Sequence, residues 1–209
     1  HPSAPLTALW QVSTAATEQA APSYVHYLAL VRQGPLNSTP QAHADWVRRV
    51  MMQCDRVRVL CAVREGQWGV QGVNAGIESA LQAKGLLQPN GLWYAGRPVL
   101  VTRNDAALGL FNGDTGLVLP GYGSNSGLKA YFLDGQGLKA ISVGRMQQVE
   151  TAFAMTVHKS QGSEYEHVVL VLPHSTGQRM GKELLYTGIT RAKSCLTVMA
   201  QSEGVVAQA

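Results

Sequence analysis

The chain has 209 residues, 45% of them hydrophobic and 14% charged, with a formal net charge of +4. That length can bury one large core or two modest ones, the charge is too sparse for a disordered chain, and no apolar run approaches the ~18–20 residues of a membrane-crossing helix. A small positive excess allows a polyanionic partner without demanding one. Since charged residues usually make up about a quarter of a soluble chain, an unusual share of this surface is neutral and suited to being covered. Arg48, Arg49, Arg56 and Arg58 form the one dense basic stretch and are expected on a solvated helix end. Cys54, Cys61 and Cys195 lack metal-ligand spacing; two of them adjoin apolar runs as buried thiols would, which fits a reducing cytoplasm. The chain opens on His1-Pro2, and it is expected to be a piece of a longer protein.

In chain order, Ala21, Tyr24, Tyr27, Leu28 and Val31 recur at helical spacing over 17–31, before Gly34-Pro35. Thr39-Pro40 predicts an N-cap followed by proline at the first helical position, opening a helix of about three turns with Trp46, Val47, Val50 and Met51 on one face. Residues 56–63 are short, β-rich and apolar, as a buried strand is. A turn at 65–69 and a helix over 73–84, stopped by Gly85, complete half of a parallel α/β unit. The texture then changes. Short β-rich runs at 98–102, 116–119, 129–133 and 138–143, separated by turn clusters at 112–114 and 121–127, suggest a small antiparallel barrel. After Glu150 strands are expected at 152–157 and 167–172, a helix at 182–193 and a last strand at 195–200. The expected fold is therefore α/β, with a parallel sheet over 1–95 and 150–209 and a β module inserted at 96–149.

No complete catalytic site is legible. The nearest approach to a phosphate loop, Thr176 to Glu183, misplaces its first glycine and puts Glu183 where a magnesium-binding hydroxyl belongs, and a carboxylate there repels phosphate. The strongest signal is Thr156-Val-His158-Lys159-Ser160-Gln161-Gly162-Ser163-Glu164, at the end of one strand and ahead of the next. Thr156, His158, Lys159 and Ser160 concentrate donors and a cation on one loop, and Gly162 allows close backbone approach, which is chemistry for gripping a phosphate backbone. A second signal is Tyr186-Thr-Gly-Ile-Thr-Arg191-Ala. It is expected on the last helix, with Leu184, Leu185, Gly188 and Ile189 against the sheet and Arg191 free to clamp phosphate with its planar fork. The bland alternative for Arg191 is a surface ion pair with Glu183.

The two segments together resemble motifs V and VI of superfamily 1 helicases. Residues 59–74 (VLCAVREGQWGVQGVN) resemble motif IV, and 104–116 (NDAALGLFNGDTG) resemble the opening of the SH3-like barrel of the RecD-like branch. The resemblance implies a RecA-like second motor lobe with an inserted SH3-like barrel. It implies a 5′-3′ DNA helicase that uses ATP and Mg2+, the metal being held by a first motor lobe, and that works with RecB-like and RecC-like subunits on single-stranded DNA. By position, Arg64 and Arg191 would face the ATP γ-phosphate, and Gln161, Gly162 and Glu164 would line the nucleotide. Thr156, His158, Lys159 and Ser160 would meet the DNA backbone, and so would Asn104 and Asn112, for which a turn-forming role is the competing reading. Motifs I and II are absent. Two other readings remain open, a stand-alone single-strand-binding module and a RecD-like or conjugative helicase that needs no partners.

Overall fold

The computed structural model describes residues 22–123, 126–135, 137–173 and 181–200. Residues 17–21 of the first expected helix, and most of the rejected phosphate-loop segment, lie outside them. The elements are α1 (Tyr24–Gln33), α2 (Pro40–Cys54), β1 (Val57–Cys61), α3 (Val70–Ala83), β2 (Pro98–Val101), β3 (Thr115–Pro120), β4 (Leu128–Asp134), β5 (Gly137–Ser142), β6 (Val149–Thr151), β7 (Ala154–Thr156), β8 (Tyr165–Leu172), α4 (Lys182–Ile189) and β9 (Ala192–Ala200). Among the described residues no helix is long and apolar enough to cross a membrane. They form two compact units, one holding residues up to 25 with 55–81 and 154 onward, the other holding 26–54 and 82–153.

The first unit is an α/β layer. Its sheet has the order β7-β1-β8-β9, with every pair parallel. Parallel strands are covered on both faces and so read as continuous apolar runs; β1 is buried at all five positions. On one face Leu184 and Leu185 of α4 pack against a core that includes Leu60, Met155, Val168, Leu170 and Leu172. Beside the edge strand β7, the buried Asn74 of α3 donates through Nδ2 to the Ala154 carbonyl at 2.9 Å.

The second unit is built on a five-stranded antiparallel sheet, in the order β5-β4-β3-β2-β6. Its core includes Val99, Val101, Leu108, Leu110, Val118, Phe132 and Ile141. Residues 26–54 group with this sheet rather than with the parallel one. The buried Trp46 ties α2 to α1 by donating from Nε1 to the Leu30 carbonyl at 2.9 Å, and His43 Nε2 lies 3.0 Å from the Pro120 carbonyl. Thr39 caps α2 as expected, its Oγ1 accepting from Ala42 N at 3.2 Å.

Three expectations are corrected. The strand expected at 152–157 is β7 alone, because Ala152 N still bonds the Pro98 carbonyl in the antiparallel sheet and the chain changes sheets only at Ala154. The helix expected to reach Lys193 stops at Ile189. Parallel pairing with β8 claims the chain from Ala192 onward, and Tyr165 N already bonds the Arg191 carbonyl at 2.8 Å. Arg191 therefore stands in the turn between α4 and β9, and Ile189 is 40% exposed instead of packed. Finally, the four arginines of the basic stretch do not share a solvated helix end. Arg48 pairs with Asp45 on α2 and Arg56 with Glu166. Arg58 is buried in β1, its Nη2 2.8 Å from Asp55 Oδ1 and its guanidinium over the Tyr165 ring.

Candidate nucleotide and DNA interface

The register of the parallel sheet decides which candidates can act together. Thr156 is level with Cys61, and Cys61 with Val171, so β7 and β1 end side by side at their carboxyl ends. Tyr165 pairs with Ala192 at the opposite, amino end of β8 and β9. In the eight residues from Val157 to Glu164 the chain therefore travels back along the sheet, from one end to the other.

At the carboxyl end, Thr156 closes β7 and its Oγ1 accepts from Lys159 N at 3.4 Å, capping a 3-10 turn over Val157–Ser160. That turn leaves His158 exposed and Lys159 half-buried. Ser160 is fully buried, and its hydroxyl donates to the Val157 carbonyl at 2.7 Å. Ser160, expected as a DNA contact, thus turns its side chain inward, and its hydroxyl donor is used inside the turn that presents its neighbours. Arg64 follows β1 at this same end, exposed, three residues beyond Cys61.

At the amino end stands a second cluster. Gly162 has φ +85, a left-handed backbone that only glycine takes without strain, and it turns the exposed stretch Gln161–Glu164 toward Arg191. The Arg191 guanidinium is fixed by three carbonyl and hydroxyl acceptors. Nη1 donates to the Ser163 carbonyl at 3.2 Å, Nε to the Thr187 carbonyl at 3.3 Å and Nη2 to Thr190 Oγ1 at 3.2 Å. A guanidinium has five N–H groups, so two remain for an incoming oxygen. Glu164 lies 3.7 Å from Lys193, both exposed, and the ion pair with Glu183 weighed for Arg191 is not among its contacts.

Arg64 and Arg191 are consequently not brought together. Seven residues of strand separate the level of Glu164 from that of Val171, about 23 Å at ~3.3 Å per residue, and Arg64 lies beyond that. Asn104 and Asn112 are in the other unit, where Asn104 Oδ1 accepts from Asn112 N at 2.7 Å, which is the turn-forming role. Asn74 is the residue that the sequence did not single out. It sits inside the segment resembling motif IV, and its helical position among apolar neighbours gave no sign of the strand it holds. Among the described residues no three His, Cys, Asp or Glu side chains cluster as metal ligands do.

The parallel sheet, the polar loop at 156–164 and the anchored arginine point to a class, and known proteins agree with it: residues 151–199 match the UvrD-like helicase C-terminal domain. Within that class the chain is RecD-like. It is 42% identical over 151 residues to the RecBCD enzyme subunit RecD of Mycobacterium tuberculosis (strain ATCC 25618 / H37Rv), covering 72% of this chain and 26% of that protein. With the subunit of the same name from Haemophilus influenzae it shares 37% identity over 169 residues, covering 80% of this chain and 25% of that protein. The ATP-dependent RecD2 DNA helicase of Deinococcus radiodurans is 30% identical over 139 residues, with coverage of 66% and 19%. The chain spans about a quarter of the length of the RecD subunits it matches. Among solved structures, Bacteroides Pif1 bound to ssDNA aligns at a TM-score of 0.43 and 14% identity over 88% of this chain and 52% of that one.

Proposed function

We propose that the chain is the second motor lobe of an ATP-dependent 5′-3′ DNA helicase, the RecD-like alpha subunit of an exodeoxyribonuclease V that also contains RecB-like and RecC-like subunits. In this reading the parallel-sheet unit is RecA-like, and 96–149 is an inserted SH3-like barrel. The observation that carries the proposal is the anchoring of Arg191 to the Ser163 carbonyl, which joins the two helicase-like segments into one cluster.

The residues of that cluster suit the outer side of a bound nucleotide. Arg191 offers two unspent N–H groups on an immobilised fork, so no side-chain ordering is needed when charge develops on the transferred phosphoryl group, an effect worth ~10³–10⁵ in rate for arginine fingers. Glu164 offers a carboxylate to ribose hydroxyls, and Gln161 and Gly162 offer polar backbone and side-chain groups beside it. Mg2+ would be held by acids of a first lobe and would neutralise phosphate charge there. At the other end of the sheet, Thr156, His158 and Lys159 form a shelf for a DNA backbone. Arg64 shares that end, so it fits the DNA shelf better than the γ-phosphate suggested by its place in motif IV. ATP on one side of the lobe and DNA on the other, joined by the short 157–164 link, is the arrangement a translocating motor needs.

The test is Arg191→Ala in the full-length polypeptide. ATP binding should stay within a few-fold of the unsubstituted protein while DNA-stimulated hydrolysis and unwinding are abolished. Unwinding at the normal rate would overturn the assignment. The 209-residue chain alone should not hydrolyse ATP; magnesium-dependent turnover that disappears on Arg191→Ala would contradict the two-lobed reading.

A further inference from the structure

Phe111 is 64% exposed, yet both of its backbone groups are hydrogen-bonded within its loop. It lies on the β2–β3 connection, between Asp105 and Thr115. Asp105 and Leu110 exchange backbone bonds at 2.8 and 3.0 Å, Gly113 N donates to the Val101 carbonyl at 2.9 Å, and Lys139 Nζ donates to the Gly109 carbonyl at 2.8 Å. Both backbone groups of Phe111 are bonded to one residue: its N–H donates to Asp114 Oδ2 at 2.8 Å, and its carbonyl accepts from Asp114 N at 3.0 Å. The adjoining Leu108 and Leu110 are core residues. A hydrophobic ring that merely failed to find a place inside would be expected on a slack loop. Here two buried leucines and a lattice of hydrogen bonds hold the loop and turn its ring outward.

We propose that Phe111 is a stacking platform for an unpaired nucleobase of single-stranded DNA. Every base has a π face, so a lone rigid aromatic accepts any sequence, as a translocating protein requires. Ring rigidity keeps the ordering cost of stacking low. The charges nearby are compatible with a polyanion. Arg103 is exposed on the same connection, and Lys139 is held at Gly109, two residues from the ring. The carboxylates of Asp105 and Asp114 are turned to the amides of Leu108 and Phe111. The proposal rests on the helicase reading above for its ligand, but uses a different unit of the chain.

The test uses the 209-residue chain with fluorescein-labelled oligo-dT at low salt, read by anisotropy, for Phe111→Ala, Phe111→Leu, Phe111→Trp and Lys159→Ala. Stacking predicts a roughly fivefold or greater drop in affinity for Ala and Leu alike, following the ~1–3 kcal/mol per stacked base, and retention for Trp, whose emission should be quenched as DNA is added. Unchanged affinity in Phe111→Ala with weakened binding in Lys159→Ala would overturn the platform and leave the helicase reading standing. The reverse pattern would support the platform and count against the DNA shelf at Thr156–Lys159. Emission of the Trp variant indifferent to bound DNA would indicate that the ring serves a protein contact, and no binding by the unsubstituted chain would overturn both.

Discussion

Asn74 and Ala154 exchange two hydrogen bonds, each 2.9 Å long: Asn74 Nδ2 donates to the Ala154 carbonyl, and Ala154 N donates to Asn74 Oδ1. The side-chain amide thus replaces a neighbouring strand at the start of the edge strand β7, two residues before Thr156. Asn74→Leu keeps the branched shape, though it is bulkier, and removes both bonds, leaving a buried N–H and C=O without partners. At about 1–3 kcal/mol for each of the two unsatisfied groups, a destabilisation of about 2–6 kcal/mol is expected in urea unfolding. DNA affinity should fall with it, since β7 sets the position of the Thr156–Lys159 turn. A variant as stable as the unsubstituted chain would show that the pair is dispensable.

Arg64 follows β1 at the carboxyl end of the sheet, and Arg191 precedes β9 at the amino end. On the DNA-shelf reading, Arg64→Ala weakens single-strand binding by the 209-residue chain. It also flattens the dependence of log affinity on log salt by about 0.7, because one fewer phosphate is neutralised. Anisotropy titrations at several salt concentrations measure both. Unchanged DNA binding, with ATP turnover abolished in the full-length protein, would return Arg64 to the γ-phosphate despite its distance from Arg191.

Gly188 marks where α4 presses on the sheet. A Cβ built there would lie 2.9 Å from Leu170 Cδ1, 3.3 Å from Cδ2 and 3.5 Å from Val157 Cγ2. Gly188→Val should therefore overpack the joint and cost about 1–3 kcal/mol. Gly188→Ala should come closer to neutral, because the end of the Leu170 side chain can shift and alanine favours the helix by up to ~1 kcal/mol. Thermal unfolding of the pair checks this; a Val variant at or above the stability of the Ala variant would contradict it.

Cys61 is buried at the end of β1, and burial pushes its thiol up to about 12 from an ordinary 9.0. The folded state therefore holds the proton more tightly than the unfolded chain. The linked stability is complete below pH 9 and disappears as pH rises from there toward 12. Unfolding midpoints should fall over that range, and the fall should be shallower in Cys61→Ala. Under native conditions near neutral pH, a thiol reagent should modify Cys195, which is half-exposed, well before the buried Cys54 and Cys61, and all three once urea is added. Rapid native modification of Cys61 would show that β1 opens readily.

Much of the molecule was legible in the sequence because the signals are local. The N-cap at Thr39, the apolar runs of β1 and β8, and the alternating short strands from 98 to 142 each express the preferences of a few adjacent residues. So do the chemical identities of the helicase-like segments, where the density of donors around Lys159 and the lone arginine after Thr190 stand out without any fold.

The tertiary structure decided the rest. Whether 182–193 is one helix or a helix followed by a strand depends on β8 lying alongside to pair with Ala192, which no local propensity reports. That Ser160 faces inward while His158 faces out depends on how a 3-10 turn sits on the sheet. Above all, two arginines alike in sequence were separated to opposite ends of the parallel sheet by its register. Register arises from pairing between residues about a hundred positions apart, such as Cys61 with Val171, and such pairings are fixed only when the whole sheet forms.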